Sequence, residues 1–167
     1  MSTPRAIERS VQLSILDRLT DLTPKASADP RVSFAESVRL FKAAVQRDLS
    51  WLLNARRTPE RPPGELVELP TSVYDYGIPD VTSFSRDAAE SKARLLRYIE
   101  ETLATFEPRI TDARISIVEV EGEQHRRELR FEVEGMLMMD PTPERVVFDT
   151  VLDYTSGDYQ VAGVRGA

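Results

Sequence analysis

The chain contains no cysteine and one histidine, His125. Without cysteine there is no disulfide framework, thiolate zinc site or thiol nucleophile, which fits a reducing compartment. The lone histidine has no second imidazole with which to share a metal. Any Ser–His arrangement would have to use His125 itself, in the charged stretch EGEQHRRE. Basic residues are also short: 22 Lys and Arg face 28 Asp and Glu, a net charge of −6. That balance argues against non-specific nucleic-acid binding and against docking on an anionic membrane. No apolar run approaches the roughly 20 residues of a membrane-spanning helix. The first residues alternate charge with apolar side chains, unlike a secretory leader, so the expected compartment is the cytoplasm. There is no G-x-G-x-x-G, no Walker sequence and no internal repeat.

What is present suits a folded domain: 167 residues, 41% hydrophobic and 30% charged. Residues 1–22 read as a helical extension, with Ile7, Val11, Ile15 and Leu19 every four residues and Leu16 widening the stripe. The stretch TPKASADPR, with two prolines, places a linker over 23–32. Such a tethered amphipathic helix suits either its own domain or a partner's groove. Ser33 and Glu36 form an S-x-x-E capping box opening a second helix to about Asn54, with Phe34, Val38, Phe41, Val45, Leu49 and Leu52 as its stripe. Arg56 and Arg57 suit the negative pole at its end. Prolines 59, 62 and 63 enforce a loop, and residues 66–69 and 73–76 read as short extended pieces. A third helix is expected from an N-cap at Ser85 to about Thr105, ending before Pro108. Its stripe is Ala88, Leu95 or Leu96, Ile99, Leu103 and Phe106.

The remainder alternates with the period of strands. ARISIVEV, ELRFEVEGMLM and RVVFDTVLDY are separated by short polar turns, and YQVAGV either pairs as a last piece or trails off. Sequential strands with short connections predict an antiparallel meander. The predicted fold is α+β: an N-terminal amphipathic helix and two further helices packed on a mainly antiparallel sheet of C-terminal strands. The main domain is expected over 33–160, with 161–167 as a tail.

Carboxylates are too numerous to single out a catalytic pair, although Glu107 with Asp112 nearby is a candidate acid for glycoside cleavage. His125, Arg126 and Arg127 read as solvated residues, and no catalytic residue, metal ligand or cofactor is assigned. Two features point instead to assembly. Strand 145–154 carries Val146, Phe148, Thr150 and Leu152 on one face and is expected at a sheet edge able to accept another strand. Glu107-Pro108-Arg109 follows the third helix. Pro108 would stiffen an extended segment in which Glu107 and Arg109 face the same way, toward a partner.

Several pieces together resemble the small baseplate subunits of type VI secretion systems, the TssE family, grouped with phage-tail baseplate wedge proteins once labelled lysozyme-like. The pieces are SILDRL (14–19), SVRLFKAAVQRDLSWLLNARR (37–57), SVYDYGIPD (72–80) and IEETLATFEPRI (99–110), followed by strands. The resemblance spans about residues 10–160. It implies a structural, non-enzymatic protein in a hetero-oligomeric baseplate docked at an inner-membrane complex. The implied partners are TssF and TssG of the wedge, with TssK, and the sheath proteins TssB and TssC. It carries the wedge-binding motif onto Glu107, Pro108 and Arg109. It further implies strands that the first sheath ring extends, and the edge of residues 145–154 and a docking helix of Ile7, Val11, Ile15, Leu16 and Leu19 are assigned beside it. Two alternatives stand against it: a peptidoglycan-cleaving hydrolase and a soluble adaptor of the same fold.

Overall fold

A computed structural model describes residues 11–21, 24–25, 32–60, 62–80, 89–119 and 127–166. The chain divides into two units, Met1–Val45 and Gln46–Ala167, the division falling inside a long helix.

In the first unit, the part of the expected 1–22 helical extension that is described holds one short helix, α1, Ile15–Leu19. Ser14 starts it, its hydroxyl accepting from the Asp17 amide at 3.2 Å. Thr20 stops it, both its amide (3.1 Å) and its hydroxyl (2.9 Å) donating to the Leu16 carbonyl. Residues 11–14 are not helical, so the four-residue apolar repeat does not form one stripe. α2 runs Phe34–Asn54. Half of the capping box forms: Ser33 Oγ accepts from the Glu36 amide at 3.3 Å. The Glu36 carboxylate is engaged by Arg39 one turn on, at 3.0 and 2.5 Å, because a guanidinium fork outcompetes a lone backbone amide for both oxygens.

In the second unit the chain leaves α2 through a backbone exchange: Ile78 N donates to Ala55 O (2.9 Å) and Arg57 N to Ile78 O (3.1 Å). Gly77 permits this. Its φ is +104°, and a Cβ there would stand 2.3 Å from Ala55 O. The pieces expected to be extended are instead 3-10 turns, Leu69–Thr71 and Val73–Asp75. Pro70 sits at the start of the first, and the Ser72 hydroxyl accepts from the Tyr74 amide to begin the second. α3 spans Ala89–Phe106, with Leu95, Ile99 and Leu103 buried. The expected cap Ser85 and Ala88 lie outside the described residues, as do His125 and Arg126.

The sheet is an antiparallel meander in the order β1-β2-β3-β4: Ile110–Val118, Glu128–Leu137, Glu144–Asp153 and Tyr159–Gly166. Leu129, Phe131, Val133 and Leu137 of β2 and Val146, Phe148, Thr150 and Leu152 of β3 are buried on one face. α3 lies against β1, and α2 side chains reach β4, where Gln46 Nε2 donates to Val161 O at 2.9 Å. The α+β class thus holds, with two corrections at the C-terminal end of the meander. YQVAGV pairs fully as β4, so residues 161–166 are strand rather than tail. β3 is therefore internal, bonded on both sides, and Val146, Phe148, Thr150 and Leu152 are core residues of a central strand. The edges are β1 and β4. A bulge between Thr111 and Arg114 bends β1. There Gly135 of β2 is indispensable, because a Cβ would meet Ile110 Cγ2 at 2.5 Å.

Candidate partner-binding site at the Glu-Pro-Arg turn

α3 ends as the Glu107 amide donates to Leu103 O at 2.9 Å, and the Ile110 amide donates to Glu107 O at 3.0 Å. Glu107-Pro108-Arg109-Ile110 is thus a closed four-residue turn and not an extended segment. The fixed φ of proline suits the second position of such a turn as well as an extended chain. β1 starts at once with Ile110, buried to 3% exposure, and Met138 N donates to Arg109 O at 2.8 Å, pinning the turn to the end of β2.

The turn folds Arg109 back over Glu107. Arg109 Nε donates to Glu107 Oε1 at 2.6 Å and Nη2 to Oε2 at 2.5 Å, the two-pronged geometry in which guanidinium and carboxylate match best. The Glu107 side chain is only 4% exposed. Its two oxygens accept from Arg109, so Glu107 does not stand beside Arg109 as a second partner-facing charge.

Arg109 is 23% exposed and reaches further: Nη2 also donates to Asp48 Oδ2 at 2.8 Å, tying the turn to α2 across 61 residues of sequence. Asp48 Oδ1 accepts from Arg47 Nε and Nη2 at 2.9 and 2.7 Å. The Arg47 guanidinium lies 4.8 Å from the centroid of the Trp51 ring, and Trp51 is half exposed. The hydrogen bonds that Arg109 donates to Glu107, with further help from Asp48, hold Arg109 above its ordinary pKa despite partial burial. On the far side Tyr76 meets Phe106 edge-on at 5.4 Å. Burial, then Asp48 and Glu107, push the Tyr76 hydroxyl pKa upward. The result is a chain of contacts, Glu107–Arg109–Asp48–Arg47–Trp51, whose inner end is buried and whose outer end meets solvent. Such an array can position a cation and an indole for a partner, and these are residue types that dominate binding interfaces.

Among the sequence-assigned residues, Glu107 and Arg109 come together and Pro108 stays exposed in the turn. The docking-helix residues scatter. Val11 is buried, its amide donating to Ser37 Oγ at 3.0 Å. Ile15, Leu16 and Leu19 are exposed, and Ile7 lies outside the described residues. Asp48, Arg47, Trp51 and Tyr76 were missed as site residues. Asp48 carried a signal: it sits beside Leu49 and between Val45 and Leu52 on the border of an apolar stripe, where an acid needs a buried partner.

Among the described residues no group of His, Cys, Asp or Glu is arranged to hold a metal, and no helix is long and apolar enough to cross a membrane. A family model, that of baseplate wedge protein gp25, matches residues 39–142. That span includes Asp48, Glu107 and Arg109. Neither curated proteins nor solved structures give a match.

Proposed function

The chain belongs to the family of baseplate wedge protein gp25, and from that premise we propose that it is the wedge subunit of a type VI secretion baseplate, joining the wedge core to the contractile sheath. The family match over residues 39–142 carries the structural role in a baseplate. The secretion-system assignment rests on the resemblance of SILDRL, RDLSWLLNARR, YGIPD and FEPRI to the TssE family. In this role Arg109 and its neighbours Arg47 and Trp51 bind the wedge proteins TssF and TssG, with TssK near them, while Glu107 and Asp48 hold Arg109 in place. The assembly sits in the cytoplasm against an inner-membrane complex. The edge offered to TssB and TssC is β4, since β3 is internal. Support comes from its pairing to β3 along one side only and from the open space around Gly163.

The deciding experiment is capture of TssF and TssG by the full chain carrying Arg109→Ala or Trp51→Ala, after circular dichroism has established folding. Loss of capture by the folded variants is expected. Undiminished capture by both would overturn the assignment of this turn. Nothing in the geometry of Glu107 favours the hydrolase alternative.

A further inference from the structure

The loop between α2 and α3 carries three aliphatic side chains that folding leaves outside. Leu66 is 52% exposed, Val67 76% and Val73 88%. Their backbone is nevertheless firmly held. Leu66 N donates to Pro63 O at 3.0 Å, Leu69 N to Leu66 O at 3.0 Å, and Ser72 N and Oγ both donate to Leu69 O at 3.1 and 2.8 Å. Asp75 N and Tyr76 N then close the second 3-10 turn on Ser72 O and Val73 O. At its base, Arg57 contacts Asp75 at 3.7 Å and covers the Tyr98 ring at 5.3 Å. A loop that merely connects two helices has no use for three exposed aliphatic side chains on so ordered a scaffold. Order before binding removes an entropy cost that a partner would otherwise bear.

The charge around these side chains is one-sided. Glu60, Glu65 and Glu68 lie within the stretch 60–68 against the single base Arg61, while Asp75 is offset by Arg57. We propose that this loop is a second docking surface, a preformed aliphatic knob with an acidic rim. It receives a segment of a neighbouring baseplate subunit in which aliphatic residues are flanked by Lys or Arg. Charge decides against a second copy of this chain, because two such loops would bring like charges together on a protein that is already net acidic. The surface belongs to the same assembly as the Glu-Pro-Arg turn and so rests on the baseplate assignment, but it shares no residue with that turn.

The test places a photo-reactive phenylalanine analogue at position 73 of the full chain in assembled baseplates, with the cross-linked peptide read by mass spectrometry. The expected product joins position 73 to a basic, aliphatic peptide of another baseplate subunit. Reversing the rim with Glu65→Lys and Glu68→Lys should lower its yield about tenfold, the equivalent of roughly 1.4 kcal/mol, and raised salt should lower it as well. No cross-link, a cross-link to an acidic peptide, or one to this chain's own residues would overturn the proposal. The two sites fail separately. A position-73 product that persists while folded Arg109→Ala still captures TssF and TssG sinks the role of the turn alone. Lost capture without a position-73 product sinks the loop alone.

Discussion

Two arginines in this protein each bridge two carboxylates, and they differ in almost everything else. Arg109 joins the buried Glu107 to Asp48 at the turn that follows α3. Arg165, on the solvent face of the sheet, joins Glu132 of β2 (2.6 Å) to Asp149 of β3. The contacts are alike on paper, but the Arg165 side chain is 60% exposed and that of Glu107 only 4%. At the surface, water and salt supply nearly what the ion pair supplies, and two long side chains lose freedom in forming it. In the interior, the penalty falls on whichever charge is left behind. Burial rather than contact geometry therefore marks one cluster as structural and the other as incidental.

The sharpest way to break the comparison is Arg109→Ala, which strands the Glu107 carboxylate. A loss of about 3 kcal/mol is expected by urea denaturation, the lower end for breaking a buried pair because Arg109 is itself partly exposed. Asp48→Ala comes next. It leaves the Glu107–Arg109 fork intact and should cost about 1–2 kcal/mol, as for a lost charge-assisted hydrogen bond.

Tyr159 supplies the opposite sign. It is buried, and its hydroxyl has no hydrogen-bond partner among the described residues. Tyr159→Phe should thus be neutral or stabilising, by up to about 1 kcal/mol. Burial raises the pKa of this hydroxyl above its unfolded value. Its contribution is consequently whole below about pH 10 and is lost as pH climbs through the folded value. Thermal melts across pH 9 to 12 should show less alkaline destabilisation in the variant. The smallest effect is reserved for Arg165→Ala: no resolvable change in Tm at physiological salt, with any difference confined to low ionic strength. A loss there as large as that of Arg109→Ala would erase the contrast.

Local periodicity carried the helices and the first three strands, because burial on one face leaves a period of 3.6 or 2 that neighbouring residues share. It failed where a decision depended on distant chain. The apolar repeat predicted one continuous helix, yet among the described residues 11–20 only the five between Ser14 and Thr20 are helical. β3 read as an edge because β4 is short, glycine-bearing and weakly patterned, and only its pairing reveals the order. Glu107 and Arg109 were legible as a pair. That they face each other depends on a turn whose closing hydrogen bond proline permits but does not announce. Asp48 could not be joined to them from spacing, since 61 residues intervene.

At the start of β4, the Asn54 side chain donates to Tyr159 O and accepts from Tyr159 N, each at 2.9 Å. A carboxamide carries the same donor and acceptor as one peptide group, so to the sheet Asn54 is a counterfeit strand one residue long. Asn54 thereby satisfies the outward-facing amide and carbonyl of Tyr159 that an unpaired strand edge would otherwise leave open.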